Sequence, residues 1–310
     1  MKNNVVIIVG PTAVGKTQTS IQIAKRFNGE IISADSMQIY KYMDIGTAKP
    51  SVQEQEGIQH HLINVIPPDE EFSVAVFQEN AKKLLNDITI RNNLPIVVGG
   101  TGLYINSLLF HMDFSKTQIN SALRDKLKQE SIDYGNQYLH DKLKSLAPDV
   151  ADRIHKNNVK RVIRAIEVCM QGENFKDFSK ELKLNCDYNY IIIGLTRQRE
   201  ELYERINKRV DIMISEGLIN EVKKLLDSGY SSELVSMKGL GYKEVIQYLN
   251  NVIDYNEMVN ILKRDTRRYA KRQLTWFRRF EFIKWYNISE YESDHNLESD
   301  IKKYIEDRLN

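Results

Sequence analysis

Cysteine is nearly absent: the chain has only Cys169 and Cys186. By themselves they cannot complete a four-ligand zinc site, and a cytosolic chain keeps such thiols reduced, so both read as partly buried thiols. No apolar run reaches 18 residues, which leaves no candidate membrane span. The first residues pass almost directly into an apolar strand, so no signal peptide is expected and the expected location is cytoplasmic. A dominant charge is also missing. Lys and Arg number 44 against 42 Asp and Glu, a net charge of +2. Any nucleic-acid surface must therefore come from local clustering. A hydrophobic fraction of 42% is ample for a core, and 310 residues predict one large domain with an insertion, or two domains.

What is present begins with Val5-Val6-Ile7-Ile8-Val9, a buried strand, followed by Gly10-Pro11-Thr12-Ala13-Val14-Gly15-Lys16-Thr17 and then a helix over 18–25. Strand, G-x-x-x-x-G-K-T and helix form a phosphate-binding P-loop in its required context. Its glycines let backbone N–H groups and the helix N-terminus converge on one anion. Lys16 adds a positive charge and the Thr17 hydroxyl can hold Mg²⁺. The pattern alone does not say whose phosphate is bound.

A second strand, Glu30–Ala34, ends in Asp35-Ser36-Met37-Gln38. Ligands gather at the carboxyl ends of parallel strands, so Asp35 stands where chemistry is expected, although a turn or N-cap aspartate reads the same way. Leu62–Ile66 reads as a third strand, stopped by Pro67-Pro68. The preceding pair His60-His61 has no further ligands nearby, which favours a structural or substrate-contact role over metal. Ser73 caps a helix reaching about Leu85. The next strand, within Leu94–Val98, ends in Gly99-Gly100-Thr101-Gly102 and lacks the acidic residue that an ATP-hydrolysing P-loop protein usually places there. The alternatives are a second close-approach turn with a hydroxyl at its centre and a plain glycine turn.

Residues 116–185 show helical periodicity without strand signal, through Leu123, Leu127, Tyr138, Leu139, Leu143, Leu146, Val159, Val162, Ile163 and Ile166. Strand character returns at 190–195, so the stretch reads as a helical insertion between two strands of one sheet, dividing the chain into 1–115 with 186–310, and 116–185. Lys160, Arg161 and Arg164 share one helix face, which suits either solvent or nucleic acid. Arg205 and Arg209 lie four apart on a later helix and can clamp a diphosphate or pair with Glu201 and Glu204. Nine Lys or Arg against two acids over 263–284 form helical stripes, 263/267/271 and 264/268/272, with Tyr269, Trp276 and Phe277 behind and beyond them. That face suits a phosphate backbone and unstacked bases.

These segments, with Met43–Pro50, His60-His61-Leu62, Arg161–Val168, Gly239-Leu240-Gly241-Tyr242 and Lys271–Arg278, occur in an order that resembles the bacterial tRNA dimethylallyltransferases from about residue 5 to 280. The sequence departs from that family at Val14, where Ser is common, Tyr42, where Gly is usual, Asn158, where Asp is frequent, and Cys169, where Tyr is common. The resemblance implies an α/β fold, a P-loop NTPase-like parallel sheet flanked by helices with an all-helical insertion. It also implies transfer of a dimethylallyl group from dimethylallyl diphosphate, with Mg²⁺, to the exocyclic amine of the adenine just 3′ of the anticodon in tRNAs reading codons that begin with U. On it, Asp35 is the base, Lys16, the P-loop, Thr17-bound Mg²⁺ and Arg205 or Arg209 hold the diphosphate, and Thr101 fixes geometry. Contacts to tRNA fall to Asp35, Ser36, Met37, Gln38, Thr101, Arg124, Val159, Lys160, Arg161, Val162, Ile163, Gly241, Lys271, Arg272 and Gln273. The insertion is expected to clamp the anticodon stem-loop, and the enzyme to be a monomer. A P-loop small-molecule kinase, a prenyltransferase of free adenine nucleotides and an RNA-binding NTP sensor are the competing readings.

Overall fold

The computed structural model describes residues 2–112, 114, 120–176 and 182–309. The expected domain boundary between 115 and 116 lies outside the described residues. The chain divides into two compact units, Met1–Phe110 with Leu184–Asn310, and His111–Lys183.

The first unit is built on a six-stranded, all-parallel sheet. Its strands are β1 (Asn3–Val9), β2 (Gly29–Ser33), β3 (His60–His61), β4 (Leu94–Gly99), β5 (Tyr188–Thr196) and β6 (Lys284–Asn287), in the order β3-β2-β4-β1-β5-β6. Val5 through Val9 are all 0% exposed. A strand that is apolar on both faces needs cover on both faces, which parallel sheets obtain from their crossover helices. On one face Val6 and Ile8 pack with Ile21 of α1 (Lys16–Phe27). The other face carries α2 (Val74–Ile90), capped by the Ser73 hydroxyl accepting from Val76 N, and α3 (Gly102–Leu109), the two joined by stacked Phe77 and Tyr104 rings.

The strand expected over Leu62–Ile66 is instead the two-residue β3. Leu62 and Asn64 adopt φ of 58° and 56°, which ends the extended run. The histidine pair is structural on one side. His61 Nε2 lies 2.6 Å from the buried Glu30 carboxylate, which also accepts from Arg91 at 2.7 and 3.0 Å and from Asn93 at 2.7 Å. Those donors, Arg91 foremost, hold the Glu30 carboxyl at about 2.

The second unit contains α4 (Ser121–Leu146), broken at Gly135, α5 (Pro148–Ala151) and α6 (Val159–Met170). Leu127, Leu139, Leu143, Val162, Ile163 and Ile166 make its core. Tyr138 and Leu146, although on the same apolar period, are exposed. Buried Glu167 ties the unit together, accepting from Asn120 N, from both Arg124 Nε and Nη2, and from Arg164 Nη1.

Back in the first unit, β5 leads to α7 (Arg199–Ser215) and α8 (Leu218–Asp227), separated at Gly217, then α9 (Tyr242–Leu249), α10 (Tyr255–Phe277) and α11 (Asp294–Leu309). Leu297, Ile301 and Ile305 of α11 join α1 on its face of the sheet.

Candidate active site

The P-loop is held by its own Lys16 and, from behind, by two arginines. Lys16 Nζ donates to the carbonyls of Gly10 (3.0 Å) and Pro11 (2.8 Å), Arg205 Nε to Ala13 O (3.0 Å) and Arg197 Nε to Val14 O (2.9 Å). In a trans peptide the N–H points opposite to the C=O, so pinning the carbonyls of Ala13 and Val14 outward turns the amides of Val14 and Gly15 inward. Gly15, with φ of 118°, then opens α1. Among the described residues no hydrogen bond occupies the amides of Val14, Gly15, Lys16 and Thr17. These four open amides lie at the N-terminal end of α1, the end of a helix that favours an anion. Thr12 differs from its neighbours, because its amide donates to Gln273 Oε1 at 2.9 Å.

That contact explains the second glycine turn. The Gln273 side chain also donates from Nε2 to Gly100 O at 3.0 Å, so α10 bridges the P-loop and the Gly99–Gly102 turn. A Cβ on Gly100 would stand 2.1 Å from Gln273 Nε2, and one on Gly102 2.2 Å from the Trp276 indole. The glycines are there because α10 lies directly on the turn. Thr101 itself accepts from Ser36 N at 3.1 Å, and its hydroxyl approaches Ser36 Oγ at 3.4 Å. It therefore anchors the segment carrying Asp35. Asp35 Oδ1 accepts from Met37 N at 2.9 Å, so the turn reading of this aspartate is correct for one oxygen. The other carries no hydrogen bond among the described residues. Gln38 accepts from Ser33 Oγ at 2.9 Å.

A cavity of about 510 Å³ joins these parts. Thr12 and Arg209 line one part of it, Asp35, Ser36 and Met37 another, and Arg268, Tyr269 and Arg272 of α10 a third. Arg209 Nη1 lies 3.4 Å from Thr12 Oγ1, inside the cavity, whereas Arg205 backs the loop. Of the two alternatives, neither arginine pairs with Glu201 or Glu204 among the described residues. Glu201 pairs with Arg197 and accepts from Ser289 Oγ. Burial, opposed by Asp35 and reinforced by Arg209, lowers the Lys16 ammonium to about 8. Burial first, and Asp35 second, push the Tyr269 phenol upward, so it stays protonated within hydrogen-bonding reach of Thr101 and Gln273.

The other expected contact residues fall into distinct settings. Gly241, φ 98°, donates its amide to Glu244 at 2.8 Å as the start of α9. Lys271 and Arg272 are exposed, and Arg272 lies over the Tyr269 ring. Gln273 is buried and occupied by the bridge above. In the second unit Lys160 is exposed, Arg161 and Val159 are half-buried, and Val162 and Ile163 belong to the core. Arg124 is committed to Glu167. Sequence reading missed Arg197 and Tyr269 as site residues. Arg197 follows the C-terminal end of β5, where ligand-side residues of a parallel sheet collect, and that position was the available signal. Tyr269 carried no signal beyond its place among the basic stripes.

Comparison with known proteins places this architecture. The family model described as IPP transferase matches residues 38–280. The tRNA dimethylallyltransferase of Alkaliphilus oremlandii is 58% identical over 311 residues, covering 100% of this chain and 99% of that protein. That of Clostridioides difficile is 52% identical, covering 98% of each. Among solved structures, the tRNA isopentenylpyrophosphate transferase of Bacillus halodurans is 44% identical with a TM-score of 0.73, covering 100% of this chain and 98% of that one. A eukaryotic dimethylallyltransferase acting on tRNA is 29% identical with a TM-score of 0.80, covering 99% of this chain and 80% of that one.

Proposed function

The chain belongs to the IPP transferase family and is a tRNA-modifying transferase, and from that premise we propose that it moves a dimethylallyl group from dimethylallyl diphosphate to the exocyclic amine of the adenine 3′-adjacent to the anticodon, in tRNAs reading codons that begin with U. The observation that carries this reading is one cavity lined both by Asp35, whose second carboxylate oxygen has no hydrogen bond among the described residues, and by the P-loop residue Thr12 with Arg209 beside it.

An adenine amine is a weak nucleophile because its lone pair is delocalised into the ring. The allylic carbon must therefore develop cationic character, and the departing diphosphate must be stabilised as its charge grows. The amides of Val14 to Thr17, Lys16 and Arg209 are arranged to do so. The C1–O bond breaks with its electron pair leaving on the diphosphate, the N–C1 bond forms, and Asp35 accepts the amine proton. Thr101 holds the Asp35 segment in register. Thr17, whose hydroxyl stands at the open N-terminus of α1, is the residue that would hold a Mg²⁺. When bound, that ion would neutralise leaving-group charge. The target base has to leave its stack to reach Asp35. Ser36, Met37 and Gln38, with Lys271 and Arg272 and with Lys160 and Arg161 of the second unit, are the proposed contacts to the anticodon stem-loop. We further propose that the enzyme acts as a monomer in the cytoplasm.

The test is incubation of a tRNA pool with dimethylallyl diphosphate and Mg²⁺, followed by mass spectrometry of the digested nucleosides. A prenyl mass gain on the adenosine beside the anticodon is expected. Product found only on free adenine nucleotides, or phosphate transfer from ATP to an acceptor, would overturn the proposal.

A further inference from the structure

One loop of the cavity is organised by a carboxylate that the chemistry above does not use. Glu221, on α8, accepts from three consecutive backbone amides, Asp44 N (2.9 Å), Ile45 N (2.8 Å) and Gly46 N (3.0 Å), and from the Tyr242 hydroxyl at 2.7 Å. Successive amides aimed at one point make an anion-binding nest, and here the anion is the protein's own. Tyr242 is fully buried, and its ring lies so close to Gly46 that a Cβ there would stand 2.5 Å from it. Lys49, with its side chain almost buried, ties the other end of the loop to Tyr40 O and Asp44 Oδ1 (both 2.7 Å) and to Asn64 Oδ1 (2.6 Å). The loop is not helix or strand, so these bonds, with its own turn bonds from Ala48 N to Ile45 O and from Thr47 Oγ1 to Met43 O, decide where its backbone stands.

Gly46, Thr47 and Ala48 line the cavity, as do Val210 and Met213, which follow Arg209 on α7. With the diphosphate on the P-loop amides and Arg209 and the acceptor amine at Asp35, the prenyl chain is left with the wall that Gly46, Thr47 and Ala48 form with Val210 and Met213, apart from the charged Asp265, Arg268 and Arg272 of the same cavity. We propose that Glu221, acting through the 43–50 loop, is a positioning residue that sets the donor-side wall and hence the prenyl chain length the site accepts. The inference rests on the activity proposed above.

The experiment compares dimethylallyl and geranyl diphosphate as donors to an anticodon stem-loop RNA at saturation, using the full chain and the variants Glu221→Gln and Tyr242→Phe. Glu221→Gln keeps the shape but sets an NH₂ against the amides, and Tyr242→Phe removes one hydroxyl while keeping the ring on Gly46. An apolar pocket discriminates by roughly 10- to 200-fold per methylene. The preference for dimethylallyl over geranyl diphosphate, as a ratio of kcat/KM, is therefore expected to fall about tenfold in Glu221→Gln and less in Tyr242→Phe, with RNA affinity unchanged. A ratio indistinguishable from wild type in both variants overturns the inference, whatever happens to thermal stability. If Glu221→Gln does not fold, an unchanged ratio in Tyr242→Phe has the same consequence. A wild-type enzyme that prenylates no RNA from dimethylallyl diphosphate would instead overturn the proposed function.

Discussion

One substitution can separate the turn role of Asp35 from its proposed role as the base. Its Oδ1 holds the turn through Met37 N, and an asparagine carbonyl can accept that same bond. Asn cannot take a proton from an amine. Asp35→Asn is therefore expected to keep the turn and tRNA binding while kcat falls by roughly 10²- to 10⁴-fold. Near wild-type turnover in single-turnover assays would remove Asp35 as the base. Lys16 gives a pH signature. Its ammonium, ordinarily near 10.5, is lowered to about 8 chiefly by burial. Below that pH the charge proposed to bind diphosphate is present, and it is lost as pH rises through about 8. The kcat/KM for the donor is expected to fall about tenfold per unit above that point. Lys16→Arg should lack this limb, because a guanidinium stays charged. A flat wild-type profile to about pH 10 would refute the assignment. The same shift has the opposite sign for folding: the desolvated cation costs stability below about 8, and the cost is relieved between there and 10.5. The departure at Tyr42 has a visible backbone setting, since its φ of 66° is one that glycine adopts without strain.

At the scale of elements, α10 is the one whose two basic stripes part company. Lys263 pairs with Asp211, and Arg267 donates to Asn207 and sits over the Tyr203 ring, so these two fasten α10 to α7. Arg264 and Arg268 share Asp265, while Lys271 and Arg272 remain exposed. Helical spacing placed all of them on two adjacent stripes but could not say that one stripe meets another helix. Changing Lys271 and Arg272 together to Ala is expected to weaken tRNA binding and flatten its dependence on log salt by roughly one unit for each phosphate no longer neutralised. Changing Lys263 and Arg267 is expected to lower thermal stability instead, with the salt slope nearly unchanged. Equal slopes in all variants, measured by filter binding across a salt series, would return α10 to an ordinary solvated face. The same element carries Gln273, whose buried amide joins the P-loop to the Gly99–Gly102 turn. No local pattern distinguishes such a glutamine from an exposed one.

For the molecule as a whole, the sheet is P-loop NTPase-like, while β4 does not end in the acid that a nucleotide-hydrolysing protein usually places there. β4 ends in Gly99, and Thr101 in the turn beyond it anchors Ser36. ATP can still offer phosphates to the amides of Val14 to Thr17. It is therefore expected to inhibit competitively with dimethylallyl diphosphate and to transfer no phosphate. Labelled phosphate appearing on RNA or water at a rate comparable to prenyl transfer would contradict this.

The α/β class, the P-loop, the strand-end position of Asp35 and the helical character of the insertion were legible in sequence because each is a local matter of apolar period, turn chemistry and capping. β3 was misplaced because an apolar run at 62–66 competes with left-handed residues inside it. What sequence could not decide depends on groups far apart along the chain. Arg209 faces the cavity while Arg205 backs the loop, Glu221 rather than an external anion fills the nest at Asp44–Gly46, and Gln273 takes the Thr12 amide. Those assignments follow from which buried donors and acceptors must satisfy one another once the elements come together, and only the tertiary structure brings the partners within reach.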